Sequence, residues 1–394
     1  MNILFICEEY PPAMHGGIGT FTKSLAEGLV QKGNTVVVVG IYSDHLLKNF
    51  SEEAENIKGV TVYRFHGFSR MKFKRIRFIA ERFLLARKIR ELHEIYNFDL
   101  LECHDSSGWL AVGSLPNIPK IIRLHGSQLY FNHELGRHTG RLNCLFETRW
   151  IKRADFIISV SEYVASKTIE LVGKCREFKV IYNSVDTQEF KPQPDIIKEN
   201  GLILFTGSIL PKKGVDELIN AFSLIAEKYP EAHLLLIGKD LKTMSNGLKY
   251  SEYILQKYPP EITRRIEFRG WFDHTQLPAL LQRAEICCFP SHAEAFAIAP
   301  LEAMSVGSPV IFMKSGSGPE AIEDGISGLL CDTKNPTEIA EKLEVLLKDK
   351  ELRLILGKNA RSRIERLFNS DEWIEKNITF YKEYLHQFRT FQKH

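Results

Sequence analysis

Two carboxylates, Glu294 and Glu302, stand eight positions apart in the run SHAEAFAIAPLEAM (291–304), which is otherwise small and largely apolar. Carboxylates kept in such a run have work to do: they accept hydrogen bonds from hydroxyls or amides, or balance a cation. A continuous helix would place them about 80° apart at 3.6 residues per turn. Pro300 argues against continuity, because its ring removes a donor and clashes with the preceding turn. Proline is tolerated at the first helical position. The spacing therefore predicts a loop through Glu294 and a helix starting near Pro300, with Glu302 in its first turn. That loop can aim several backbone N–H groups at one point, as anion sites at helix entrances do.

Two more segments carry residues suited to an anion. In YPPAMHGGIGT (10–20), Gly16, Gly17 and Gly19 precede a helical pattern, so exposed N–H groups and the helix dipole are available to a phosphate. Thr22 stands where a dinucleotide fingerprint has its third glycine, and the P-loop pattern is absent. Loop turns explain these glycines equally well. In FTGSILPKKGVD (205–216), a strand ends at Gly207 and a loop with Lys212 and Lys213 leads into a helix. Lys213 is placed for a phosphate, although solvated loop lysines would look the same.

These segments need a scaffold. A chain of 394 residues exceeds the length at which single cores stop growing, so two domains are expected. Apolar content of 44% and charged content of 26% are those of a globular protein, and a net charge of +3 is too small for a nucleic-acid binder. The seven cysteines include no CxxC pair, and the adjacent Cys287 and Cys288 look like core thiols, which fits a reducing cytosol and gives no zinc site. The apolar run before Glu8 and Glu9 is too short for a signal peptide, and nothing approaches the ~20 apolar residues of a membrane span. A cytoplasmic protein is expected, peripheral at most, at the inner face of the membrane.

Short β-branched runs alternate with helical patterns. Strands are predicted at 2–7, 35–39, 100–103, 120–124 and 155–160, with a helix over 19–31 capped by Gly33. Their near-continuous apolar character implies parallel sheets covered on both faces. After the linker-like KPQPD (191–195) the pattern restarts, with strands at 202–205, 234–237, 266–269, 285–289 and 309–312 and a helix over 216–228. The fold class expected is α/β, two doubly wound Rossmann-like domains over 1–193 and 194–374. Ligands bind such sheets at the carboxyl ends of the strands.

Together these motifs resemble the retaining GT-B glycosyltransferases of family 4, also called group 1, over nearly the whole chain. The resemblance rests on Pro11-Pro12 with Gly16-Gly17-Ile18-Gly19, on His125-Gly126 and Ser161-Glu162, and on Asn183-Ser184-Val185-Asp186 with Phe190, where Ser184 replaces the usual glycine. Its most specific element is Glu294-x7-Glu302 in register with Ala303-Met304, Gly307 and Pro309-Val310. The resemblance implies GT-B architecture, with a closing helix near 375–394 packing back on the first domain. It implies that Glu302 holds the ribose hydroxyls and Glu294 the sugar hydroxyls of a nucleotide-sugar donor. Backbone N–H groups of Ala295, Phe296, Ala297, Ile298 and Ala299 would face the diphosphate with Lys213, and Gly16 and Gly17 would join them. His125 would contact the sugar near the transferred carbon, and Arg269, Trp271 and Phe272 would cradle the base. Glu294, His125 and Lys213 are thus the expected catalytic set, with no metal and no cofactor. Ser208 stands where the family usually has arginine, replacing a charged fork by one neutral hydroxyl.

The implied reaction moves a sugar to an acceptor hydroxyl of a polysaccharide or lipid-linked glycan with retention. UDP-glucose ranks first among donors on frequency in relatives, ahead of GDP-mannose and UDP-GlcNAc. The alternatives are a catalytically inactive sugar-nucleotide-binding protein, favoured by Ser208, and a sugar-nucleotide epimerase of the same architecture. A nicotinamide-dependent oxidoreductase is disfavoured by the incomplete fingerprint. One segment points to a further partner: residues 70–90 mix basic and apolar side chains with Glu81 as the only acid. Such a segment suits an anionic membrane, or packs as an ordinary surface helix.

Overall fold

The structure, a computed structural model, describes residues 1–13, 16–42, 53–173, 177–240, 243–244, 247–270 and 274–391. The chain forms two units, Met1–Tyr182 with Asp371–His394, and Asn183–Ser370. The limit expected at 193/194 falls inside the second unit. The closing helix spans Ser370–Phe391 and belongs to the first unit from Asp371 onward.

In the first unit the strands are β1 (Asn2–Ile6), β2 (Thr35–Tyr42), β3 (Glu55–Ile57), β4 (Val60–His66), β5 (Leu100–His104), β6 (Lys120–Leu124), β7 (Phe156–Ser159) and β8 (Phe178–Val180). They form one sheet in the order β3-β4-β2-β1-β5-β6-β7-β8. All pairings are parallel except the β3–β4 hairpin at the edge. Its two-residue turn, Lys58-Gly59, has positive φ at both positions, the backbone twist that tight hairpins require. Ile3, Leu4, Phe5 and Ile6 are all buried, which accounts for the unbroken apolar run of β1.

The helix Gly17–Gln31 buries Phe21, Leu25, Ala26 and Leu29 along one stripe. The closing helix adds Trp373, Ile374, Ile378, Tyr381 and Leu385 to the same core. The two helices approach closely at Gly28, where a Cβ would lie 2.3 Å from Ile374 Cδ1. Polar groups fasten the closing helix beneath the sheet. Arg123 on β6 donates to Glu102 on β5 at 2.6 and 3.1 Å and to Asn377 at 2.6 Å, and the Tyr381 hydroxyl donates to Glu102 at 2.7 Å. All four are buried.

The second unit has β9 (Glu199–Thr206), β10 (His233–Ile237), β11 (Ile266–Arg269), β12 (Ala284–Phe289), β13 (Val310–Met313) and β14 (Leu329–Cys331). They form a parallel sheet in the order β11-β10-β9-β12-β13-β14. Cys287 and Cys288 are buried within β12.

Removing one member of a buried ion pair strands the other charge, at a cost of about 3–5 kcal/mol, whereas replacing both by apolar groups is far milder. Arg123→Met should therefore lower the urea midpoint sharply, and Arg123→Met/Glu102→Leu should recover most of the loss. A double variant as unstable as the single one would show that the network acts by packing rather than charge.

Candidate active site

Each sheet reverses its strand order once: in the second unit successive strands run outward from β9 on one side and from β12 on the other. The loops after two such neighbouring strands separate and leave a crevice at their carboxyl ends. Lys213 lies in the loop after β9 and Glu294 in the loop after β12, and the structure joins them, Lys213 Nζ to Glu294 Oε1, at 2.5 Å. The backbone ties the same loops together, since His292 N–H donates to Lys212 C=O at 2.8 Å. Gly214 permits this closeness: its φ is +68° and a Cβ there would lie 1.9 Å from the Pro290 oxygen.

Burial of Glu294 favours its neutral form, but Lys213, then Lys212, and hydrogen bonds from Lys213 and Ser291 outweigh it and hold the carboxyl below its ordinary range. Lys213 and Glu294 are therefore paired with each other across the two loops. The lysine that a diphosphate would meet is already shared.

The helix after Glu294 spans Ile298–Ser305, and its N-cap residue, Ala297, supplies no side-chain cap. It begins two residues before the expected Pro300, which sits third, where a missing N–H costs no intrahelical bond. Glu302 consequently lies in the second turn, buried, and the first turn holds no acid. Ala295 and Phe296 are buried, whereas Ala297, Ile298 and Ala299 are half-buried at the helix entrance. The loop is held from behind: Asn183 Nδ2 donates to the Phe296 carbonyl at 2.7 Å, and the Phe296 ring packs on Phe368 with centroids 5.6 Å apart. Ser208 is half-buried just beyond β9. Arg269 ends β11, the outermost strand, where its guanidinium forks onto Glu267 at 2.9 and 2.8 Å. Trp271 and Phe272 lie outside the described residues.

In the first unit the reversal lies between β1 and β5. An ion pair bridges it as well, His104 at the end of β5 meeting Glu8 after β1 at 2.8 Å. Burial alone would lower the His104 imidazole, but Glu8 beside it lifts its pKa to about 9, so it is cationic at neutral pH. Burial pushes the neighbouring Asp105 carboxyl up to about 7, against the His125 N–H it accepts at 2.9 Å. His125 follows β6, half-buried, with its ring edge-on to Phe21 at 4.4 Å between centroids. Burial, then Arg123 and His104, pushes its pKa well below the ordinary value, so the ring is neutral. Among the described residues no hydrogen bond engages either ring nitrogen of His125.

The glycine-bearing loop departs from expectation. Glu9 accepts the N–H groups of Gly16 at 3.2 Å and Gly19 at 2.7 Å. The entrance of helix Gly17–Gln31 thus holds the chain's own carboxylate on two of the N–H groups that a phosphate could otherwise use. Glu8, Glu9, His104 and Asp105 are ionisable groups at this strand-order reversal that the sequence did not single out; the available signal was two adjacent acids directly after the first strand. Glu162 and Asp186 do local work: Ser161 caps the helix that Glu162 begins, and Asp186 Oδ1 accepts the Gln188 and Glu189 N–H groups. Among the described residues no cluster of three His, Cys, Asp or Glu side chains could hold a metal ion.

Glu294 titrates below its ordinary value when folded. The pair's contribution is therefore present above the unfolded pKa of about 4.3 and lost as pH falls through the lower folded value. In Lys213→Met burial dominates, and the folded pKa rises above the unfolded one. The variant should be about 1–3 kcal/mol less stable at pH 7. Its Tm should approach that of the wild type as pH falls toward about 4. A pH-independent gap would refute the coupling.

Comparison with known proteins agrees with the geometry. The glycosyl transferases group 1 model matches residues 186–363, and the glycosyltransferase family 4 model matches residues 15–189. An uncharacterised glycosyltransferase of Methanocaldococcus jannaschii is 27% identical over 97% of this chain and 98% of its own length. A glycogen synthase of Mycobacterium tuberculosis is 25% identical over 95% and 92%. Among solved structures, sucrose-phosphate synthase from Thermosynechococcus elongatus superimposes with a TM-score of 0.83 at 20% identity, covering 98% of this chain and 99% of that one. Anabaena HepE in complex with UDP and glucose gives 0.76 at 21% identity, covering 97% and 100%. The chain therefore belongs to the group 1, family 4 glycosyltransferases of GT-B architecture.

Proposed function

We propose that this glycosyltransferase moves a hexose, glucose from UDP-glucose in the first instance, to an acceptor hydroxyl of a growing polysaccharide or lipid-linked glycan, with retention and without a metal or cofactor. The observation that carries it is the Lys213–Glu294 pair at the strand-order reversal of the second unit, beside a helix entrance whose N-cap residue, Ala297, supplies no side-chain cap. HepE, similar in fold, has been captured with UDP and glucose.

On this reading Glu302 accepts hydrogen bonds from the ribose hydroxyls. The N–H groups of Ile298 and Ala299, with the helix dipole behind them, take the diphosphate. Lys213 pivots from Glu294 toward the phosphate, and Glu294 takes sugar hydroxyls in its place, so each charge exchanges one partner for another. Ser208 gives a neutral donor. The bond from the anomeric carbon to the diphosphate breaks as the acceptor oxygen attacks the same face. The acceptor's proton passes to the departing phosphate oxygen. Positive charge and N–H groups already in position lower the barrier to that departure. His125, neutral and with neither ring nitrogen hydrogen-bonded among the described residues, is assigned to the sugar near the transferred carbon.

A thermal-shift screen of UDP, GDP and ADP sugars should give the largest rise with UDP-glucose, because a ligand bound only by the folded state stabilises it. Incubation with UDP-glucose should release UDP, and NMR of the product should show the donor's anomeric configuration. Lys213→Ala should lower kcat about 10²–10³-fold, the range for loss of one preorganised donor. Binding without release of UDP under any acceptor would instead identify a sugar-nucleotide-binding protein, the alternative that Ser208 favours. No shift with any nucleotide sugar would overturn both.

A further inference from the structure

The helix Lys74–Tyr96 has two dissimilar halves. Its second half is anchored: Leu85, Ala86, Ile89 and Leu92 are buried, and buried Arg82 donates to the carbonyls of Ser107 and Gly108. The first half and the loop before it turn apolar side chains to solvent. Phe73 is 71% exposed, Ile76 56% and Phe83 54%, with Phe68 and Ile79 at 37% each. By helical geometry Phe73, Ile76, Ile79 and Phe83 fall within about 120° of one another around the axis. A strip of this kind is what soluble surfaces avoid unless something covers it.

The charges around the strip are of one sign. Arg70, Lys72, Lys74 and Arg75 are exposed, and none of the four forms an ion pair among the described residues. The acid nearest in sequence, Glu81, accepts the Phe68 N–H at 3.1 Å and lies 3.8 Å from Arg77. Lys74 and Arg75 also occupy the first helical turn, which holds no acid. Cations there oppose the helix dipole, and stability alone would select Asp or Glu. The exposed apolar strip and the misplaced cations are both unfavourable for folding, and both point to a partner.

We propose that this surface docks the first unit on an anionic lipid bilayer. Phe73, Ile76, Ile79 and Phe83 enter the boundary between headgroups and acyl chains, and Arg70, Lys72, Lys74 and Arg75 meet lipid phosphates. A polyanion without an apolar phase leaves the isoleucines unaccounted for. A second copy across a two-fold axis would set the same four cations against each other. The contact is peripheral, and no described helix is long and apolar enough to cross a membrane.

The test is co-sedimentation of the full chain with vesicles of phosphatidylcholine alone and of phosphatidylcholine with phosphatidylglycerol. Binding is expected to the anionic vesicles only, and it should weaken as salt rises. Phe73→Ser/Ile76→Ser/Phe83→Ser and Lys72→Glu/Lys74→Glu/Arg75→Glu should each lose about tenfold or more in partitioning. Their melting temperatures should stay near that of the wild type, since the replaced side chains are exposed. Should the serine variant prove unstable, Phe73→Trp reports insertion directly through a blue-shifted emission quenched by brominated lipid. Equal partitioning to both vesicles, none to either, or wild-type binding by both triple variants would overturn the proposal. So would a concentration-dependent dimer in lipid-free sedimentation velocity that the serine variant abolishes, which would assign the strip to a second copy.

Discussion

A parallel sheet that reverses its strand order leaves a crevice between two loops, and in this chain each crevice is spanned by one charge pair. Glu8 and His104 bridge β1 and β5, and Lys213 and Glu294 bridge β9 and β12. Parallel pairing is the underlying constraint, because it forces every crossover to bring the chain back, so that successive strands end on the same side. Loops far apart in sequence, such as those of Lys213 and Glu294, can then meet. The pairs keep partly buried charges without stranding either partner.

Several charged groups in the first unit are buried together. The Arg123–Glu102 pair, with Tyr381 and Asn377, lies buried and fastens the closing helix. Above it His104 is cationic and His125 neutral, and burial with these neighbouring cations keeps His125 so. The structural network thus adds, through Arg123, to the burial that keeps His125 neutral just beyond the end of β6.

Much of the scaffold was legible in the sequence. Strands with near-continuous apolar runs, such as β1 and β10, and the helix of Phe21, Leu25 and Leu29 fall where periodicity predicts them, because burial on both faces of a sheet leaves an unmistakable pattern. The β3–β4 hairpin, β8 and β14 did not stand out: β3, β8 and β14 have three residues each, and β3, β4 and β8 are only partly buried. The start of the helix at Ile298 was displaced by Pro300, since proline is acceptable anywhere in the first turn and fixes a helix entrance only loosely.

Residue types and spacing made Glu294, Glu302 and Lys213 candidates, and the family resemblance added His125; they also gave an α/β chain and an unusually basic and apolar segment over 70–90. Only the tertiary structure decided what each charge faces. Lys213 meets Glu294 across 81 positions of chain, Glu9 fills the glycine loop, and Phe73 and Ile76 stay in solvent while Leu85 and Ile89 are buried. Periodicity reports how a segment is covered, which is a local property. Ion pairing between separate loops depends on strand order, and strand order is set by the whole sheet.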